Sequence, residues 1–527
     1  MRTGLRVLIV TGKIAEESIR RKASGSKHAV DVRPLPVSVA AFITPDQAAE
    51  ALGFLRRGDY ELILLPGTVR GDVSPVEEAT GIPTFKGPSN ADDLPIVLDL
   101  LGEVEFSKTE SASDLIQDAR RDRAASELET VERSWRELVE RHGGMVIGGE
   151  GRVVAVGSAL PMRVIAEIVN APTLDIESVR RRARYYESEG ADIVDIGMLA
   201  GSPRPEAAAE LVEVVRSSVE LPVSIDTLDP SEIGAAADAG VDLVLSVDRG
   251  NMEEVAASAS DTPVVVLPSN MREGILPRGA EERVAYLREN IERARDLGFS
   301  KIIADPVLEP AVKPGLLESL MAYRLFRRAD SETPVLFGLG NVTELIDVDS
   351  PGVNGLLAAL ASEVGANLLF IPEYSPKARR SVRETAQAAR MMFLAQRREV
   401  PPKDLGLDLL LLKEKRHAEE PYDPSAEEGE RVLDARGEDA LEYDRTGWFL
   451  IQVDRERGFV IATHFRGVEG PDVIVRGETA REIYQTIIRE GLVGKYDHAA
   501  YLGKELMKAE LALRLGRSYS QDGPLFK

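Results

Sequence analysis

The chain contains no cysteine. Disulfides and thiolate-bound metals are therefore excluded. Histidine is scarce: five in 527 residues, and none in the apolar runs between 150 and 398. That argues against a histidine-built metal site or a histidine-dependent triad in that region. No apolar run approaches the length of a membrane span, and the opening "MRTGLRVLIV" lacks a signal peptide's layout. The expected location is cytoplasmic. Basic residues are outnumbered, 65 against 88 acidic, for a net charge of -23. A nucleic acid would be repelled rather than steered in, so no nucleic-acid partner is expected. Abundant Glu and Arg without Cys fits a thermophile, because ion pairs cost less to desolvate when hot. A halophile's acidic surface fits equally, and composition leaves both open.

What is present is ample apolar material, 43% of the chain, and a length that suggests about three or four domains or one large barrel with additions. Residues 1–105 alternate strand and helix: "LRVLIVTG", "KIAEESIRRKA", "HAVDVRPLPV" and "YELILLPG" predict a small open α/β domain with a parallel sheet. Residues 106–149 read as a charged linker helix ending at Gly143 and Gly144. Residues 399–430 read as an acidic connection, and 431–527 as a small α+β domain. In that domain two strands flank the turn "RERG", followed by two amphipathic helices.

Between 150 and 398 the pattern is regular. Eight short apolar runs are mostly separated by helical stretches: "RVIAEIVN", "ADIVDIG", "PVSIDT", "LVLSVD", "PVVVLPSN", "KIIADP", "PVLFGLGN" and "ANLLFIPE". This predicts a (β/α)8 TIM barrel. Polar residues stand at the run ends: Asn170, Asp195, Asp226, Ser246, Asp248, Asn270, Asp305, Asn341 and Glu373. Any one of them serves equally well as a helix cap. Their recurrence at nearly every strand end points to a site at the C-terminal face.

The barrel resembles the pterin-binding barrel shared by dihydropteroate synthases and folate-dependent corrinoid methyltransferases. "EGADIVDIGMLAGSPRP" resembles the synthase segment after the second strand, with its Ser-x-Arg-Pro ending at Arg204. "LPVSIDTLDPSEIGAAADAGVDLVLSV" resembles strands three and four, and "IIADPVLEP" the sixth strand. With the flanking domains, the chain resembles archaeal dihydropteroate synthase-like proteins associated with tetrahydromethanopterin metabolism. The resemblance implies that Asp305 and Asp226 hold the pterin, with Asp195, Ser246 and Asn341 beside them. It also implies that Asn170 lies near a diphosphate and a Mg²⁺, and that Arg204 holds an anion.

Four features depart from the synthase pattern. The usual strand-four Asn falls at Leu245 or Ser246. Only "APTLDIES" follows Asn170, in place of a long loop. Gly340 and Asn341 stand where synthases place a lysine. The last strand ends "FIPEYSPK" rather than in Arg-x-His. "GNVTEL" instead resembles the Asn-Val-Ser segment of the methyltetrahydrofolate-binding methyltransferases, whose Asn hydrogen-bonds near the pterin N5. Asn341 equally fits a capping box with Glu344. "YSPKARRS" offers Ser375, Lys377, Arg379 and Arg380 at a helix start as an anion site. "VTGKIAEES" puts Gly12 and Lys13 at a strand-to-helix turn without a full phosphate-loop pattern.

The expected function is a transferase that joins a dihydropterin-CH2 diphosphate to an arylamine ribose phosphate. Asn170, Asp226 and Asn341 would be its catalytic residues. The alternatives are methyl transfer from a methylated pterin to a corrinoid protein, and non-catalytic pterin binding. A homo-oligomer is compatible with the ion-rich surface, and no membrane partner is expected.

Overall fold

The computed structural model describes residues 4–149, 151–415, 431–433, 435, 443–467 and 470–526. It divides into two compact units, Met1–Leu411 and Leu412–Lys527. Among the described residues no helix is long and apolar enough to cross a membrane.

The first unit begins with four parallel strands: β1 (Arg6–Thr11), β2 (Ala29–Pro34), β3 (Leu62–Leu65) and β4 (Thr84–Lys86), in the order β2-β1-β3-β4. The sequence reading missed β4, which at three residues is too short to show a period. One face of the sheet packs Ile19, Ala23, Leu94 and Val97 against Val7, Ile9 and Leu64. The other packs Ala48, Leu52, Val73 and Val76 against Leu8, Val10 and Ile63. Helices thus cover both faces, as a buried parallel sheet requires.

Residues 106–149 are not one linker helix. Three helices, Ala112–Leu115, Gln117–Arg133 and Trp135–His142, are broken at Ile116 and Ser134. At the second break the Ser134 hydroxyl donates to the Thr130 carbonyl, competing with the helical ladder. The expected linker and the start of the barrel are bridged by an antiparallel hairpin, β5 (Met145–Gly149) and β6 (Arg152–Val156). Its glycine-rich sequence masks the strand pattern.

The hairpin has a clear role. Its buried Ile147, Val154 and Val156 pack on Ile165, Ile193, Leu243, Ile303, Leu336 and Leu368, mostly from the N-terminal halves of the barrel strands. It therefore plugs the bottom of an eight-stranded parallel barrel. The strands are β7 (Arg163–Ile168), β8 (Ile193–Gly197), β9 (Val223–Asp226), β10 (Leu243–Val247), β11 (Val264–Val266), β12 (Ile302–Ala304), β13 (Leu336–Gly338) and β14 (Leu368–Pro372). The Ala304 N–H donates to the Pro334 carbonyl at 2.8 Å, and Ala304 bridges Val335, which closes the ring. These are the eight runs read from the sequence. Each is short and apolar because it is covered on the inside by its neighbours and on the outside by helices.

After the barrel, Leu405 packs on its outer core. Residues 416–430 of the expected acidic connection lie outside the described residues. In the second unit, β15 (Trp448–Asp454), β16 (Phe459–Phe465) and β17 (Val473–Gly477) form an antiparallel sheet covered by helices Ala480–Arg489 and Tyr496–Arg514. The sequence reading found two of the three strands.

A buried ion pair ties the helix Gln117–Arg133 to the N-terminal domain. Asp93 accepts from Arg120 Nε at 2.9 Å, from Arg120 Nη2, and from the Ser113 hydroxyl at 2.6 Å. Both side chains are almost wholly buried. Asp93→Ala leaves the buried guanidinium with only Asp404, at 3.9 Å, as a carboxylate partner, so a loss of about 3 kcal/mol is expected. It is measurable as a lowered urea midpoint in the full chain.

Candidate functional site

The C-terminal ends of the barrel strands surround a cavity of about 460 Å³. Its floor is Leu245, Val265, Leu336 and Phe370, the top of the plugged interior. Its walls carry Glu167, Asp226, Asp305, Asn341, Glu344 and Tyr374, and among the described residues no Lys, Arg or His lines it.

Asp305 follows β12. Its Oδ1 accepts from the Tyr323 hydroxyl and from the Val307 N–H, both at 2.8 Å. Oδ2 has no partner among the described residues, so it is the oxygen left for a ligand. Val307 has φ 67°, a left-handed conformation costly for a β-branched residue. Arg283, fully buried, holds it there. Its Nη1 donates to the Val307 carbonyl at 3.0 Å, its Nε to the Pro277 carbonyl at 2.9 Å, and its Nη2 to Glu309. Burial raises the Asp305 pKa to about 6 against the pull of these donors.

Asp226, at the end of β9, accepts from the Ser246 hydroxyl. Ser246 has φ 67°, and Asn251 secures it by donating Nδ2 to the Ser246 and Leu228 carbonyls at 3.1 and 3.0 Å. Leu245 and Ser246 both face the cavity, and the serine makes the polar contact. Burial raises the Asp226 pKa.

Asp195 is fully buried beneath the cavity rather than in its wall. Its Oδ1 accepts from Ser224 at 2.6 Å, and its Oδ2 is buried without a hydrogen-bond partner among the described residues. Burial, then Asp226 and Glu167, push its pKa well above the ordinary range.

Glu167, in β7, escaped the sequence reading. Its only signal was a lone charge inside an apolar strand, two residues from inward-facing Ile165. Burial, Asp226 and Glu344 raise its pKa to about 8. Gly197 makes room for it: a Cβ there would lie 2.2 Å from Glu167 Oε1.

Asn341 sits in a helical turn, Gly340–Thr343, whose N-cap is Leu339. The expected capping box with Glu344 does not form. Asn341 Nδ2 donates to the Leu308 carbonyl at 2.7 Å, which leaves its amide oxygen for the cavity. Glu344 accepts from the backbone N–H groups of Tyr374, at 2.8 Å, and Ser375. Gly340 allows the turn to close on the last strand, since a Cβ would lie 2.3 Å from Pro372 Cδ.

Asn170 follows β7 with φ 51°. Its carbonyl accepts from the N–H and hydroxyl of Thr173. Arg204 is exposed at the start of helix Pro205–Arg216. Its backbone N–H donates to Glu232 at 2.8 Å, and its guanidinium reaches the Pro172 carbonyl at 3.5 Å, bringing it to the Asn170 loop. Among the described residues no group of three acidic or histidine side chains could hold a metal ion. The single amide of Asn170 does not make a protein-held Mg²⁺ site.

The expected anion site after the last strand is differently occupied. Helix Ser381–Arg398 already caps its N-terminus with Glu373, which accepts from the Val382 N–H at 3.0 Å and from the Tyr185 hydroxyl at 3.1 Å. Lys377 donates to the Ile346 carbonyl and pairs with Asp347 at 3.2 Å. The Ser375 hydroxyl is buried without a hydrogen-bond partner among the described residues, and Arg379 is exposed. An internal carboxylate thus fills the place foreseen for a phosphate.

Residues 169–367 match the pterin binding enzyme family model. Residues 5–89 match a family of unknown function, DUF6513, and 443–522 match the PterinBD-DUF4346 family. An uncharacterized protein of Methanocaldococcus jannaschii is 38% identical over 545 residues, covering all of both chains. A Ycf91-like protein of a Nostoc species is 32% identical over 108 residues, 16% of this chain and 85% of that protein. Among solved structures, Xanthomonas albilineans dihydropteroate synthase with 4-aminobenzoic acid is 21% identical. It covers 49% of this chain and 100% of that one, with a TM-score of 0.40. The Thermus thermophilus enzyme is 26% identical over 46% and 97%, with a TM-score of 0.37. The chain belongs to the same family as the uncharacterized M. jannaschii protein, and its barrel carries the match to the pterin binding enzyme family.

The raised carboxylates make stability depend on pH. The folded chain keeps the Glu167 proton up to about pH 8, whereas the ordinary value is 4.5. Between these values the folded state binds the extra proton, so stability falls as pH rises through the window. Urea midpoints should drop from pH 5 to pH 8.5, and Glu167→Gln should flatten that slope. An unchanged slope in the variant would mean that Glu167 is not the titrating group.

Proposed function

We propose that the barrel binds a reduced pterin and catalyses a step of tetrahydromethanopterin biosynthesis. The step joins a 6-hydroxymethyl-dihydropterin diphosphate to an arylamine bearing a ribose phosphate. One observation carries the reading. The cavity interior offers carboxylates, a hydroxyl and an amide, while the Arg204 guanidinium stands outside them, against the Asn170 loop.

A pterin presents N3–H and its 2-amino group side by side, and ionised carboxylates are strong acceptors for such donors. The unused Oδ2 of Asp305 takes one, and Asp226 offers a second acceptor. With a pKa of about 6, Asp305 is ionised at neutral pH. The side chain on the far edge of the pterin then points outward. There Arg204 and Asn170 receive the diphosphate. The C–O bond breaks with its electron pair on the diphosphate, and positive charge spreads from the methylene into the ring beside the acidic walls. The amine nitrogen forms the C–N bond and releases a proton to solvent.

A second reading, methyl transfer from an N5-methylated pterin to a corrinoid protein, is favoured by Asn341. Its Nδ2 is tied to Leu308, so a fixed amide oxygen faces the cavity. Spectroscopic titration of the chain with a corrinoid protein and methylated pterin separates the two.

Purified protein supplied with both substrates and Mg²⁺ in the buffer should release diphosphate and form the C–N product. No product from both substrates ends the condensation reading. Asp305→Asn should weaken pterin binding about 10–100-fold by calorimetry, the loss expected for a charge-assisted hydrogen bond.

A further inference from the structure

The N-terminal sheet carries a second cavity, independent of the pterin reading. The chain leaves β1 toward helix Glu16–Ala23 on one face and leaves neighbouring β3 toward helix Ser74–Thr80 on the other. The two loops diverge at the C-terminal ends of adjacent strands, the switch point at which open parallel sheets bind ligands. A crevice of about 250 Å³ opens there. For scale, a buried cavity of about 150 Å³ holds benzene.

Three features define what fits. First, the walls are aliphatic, chiefly the buried Ile9, Ile19 and Leu64 with the largely exposed Ile14 beside them, and among the described residues no charged side chain lines the crevice. Second, the Gly12–Lys13 turn is not a phosphate cradle. The Lys13 and Ile14 N–H groups are already given to the Val37 and Ser38 carbonyls, and the following helix opens with Glu16 and Glu17, which repel an anion. Third, hydroxyls meet the crevice unused. Thr11, 2% exposed, lines it from the end of β1, and Ser38 and Thr68, both exposed, line it from the neighbouring loops; none of the three makes a side-chain hydrogen bond among the described residues. Glycine keeps the loops this close: a Cβ on Gly67 would lie 2.4 Å from the Gly87 carbonyl oxygen, and one on Gly12 2.7 Å from the Ala40 nitrogen.

The geometry points to a binding site for a small uncharged molecule of one or two fused rings. Its faces would lie between the isoleucine and leucine walls, and its hydrogen-bonding edge would meet Thr11, Ser38 and Thr68. The test is a titration of the full chain, labelled at isoleucine methyls, with 2-naphthol and with 2-naphthoate, read by methyl NMR. Saturable shifts at Ile14 and Ile19 with 2-naphthol are expected, with 2-naphthoate at least tenfold weaker. Thr11→Val, near-isosteric, should weaken 2-naphthol about fivefold, and Ala15→Phe should abolish the shifts while methyls elsewhere keep their positions. If Ala15→Phe does not fold, Thr11→Val decides. Absence of shifts up to the solubility of 2-naphthol, equal binding of 2-naphthoate, or an unaffected Thr11→Val would each overturn the assignment.

Discussion

Carboxylates buried without cations are the constraint around which the barrel mouth is arranged. Burial raises Glu167, Asp195 and Asp226, Asp226 further raises the other two, and Glu167 adds to Asp195. A buried carboxylate in that position must take a proton or be met by donors. The protein supplies donors sparingly, with Ser224 for Asp195, Ser246 for Asp226, and Tyr323 and the Val307 N–H for Asp305. Each carboxylate is left partly unmet. A ligand rich in N–H groups removes that deficit, which gives a physical reason for a pterin-binding barrel to keep its interior acidic.

The scaffold must hold this arrangement against its own strain. Val307 and Ser246 both adopt left-handed conformations at the cavity wall, at about 1–3 kcal/mol each. Arg283 and Asn251 fix them through carbonyls, so the strain is borne by buried polar networks rather than by the apolar core. From below, the β5–β6 hairpin packs into the barrel, so that an apolar floor is fixed in height. At the side, Gly197 and Gly340 replace side chains with space, one for Glu167 and one for the last strand.

The eight strands were legible because each buried run is bracketed by a helical stretch or a turn, and strand ends near Asn170, Asp226, Asp305 and Asn341 followed from that. What each side chain does there was not legible. Spacing made Asn341 and Glu344 a capping box. The chain instead spends Asn341 on Leu308, and Glu344 on backbone thirty residues away. Spacing made the loop after the last strand an anion site, but the helix end was filled by Glu373, just upstream in the chain, through a fold-back. Tyr323 lies mid-helix among apolar residues, and only the closed barrel brings it to Asp305. Glu167 was the exception, since a charge inside a buried strand is visible in the sequence once the run's inner face is assigned.

These electrostatics also constrain how any phosphorylated pterin can lie. Under the proposed reading its anionic tail is repelled from the interior, because the walls are acidic and among the described residues no cation lines the cavity. Its donor edge cannot point outward without leaving Oδ2 of Asp305 and the Asp226 carboxylate unmet. Both conditions are met by one orientation, with the pyrimidine edge down and the substituent at the mouth. Arg204 stands on a loop that its own backbone N–H anchors to Glu232. Under the proposed reading, acidic walls inside and Arg204 outside them suit a substrate that is itself divided, donor-rich at one end and anionic at the other.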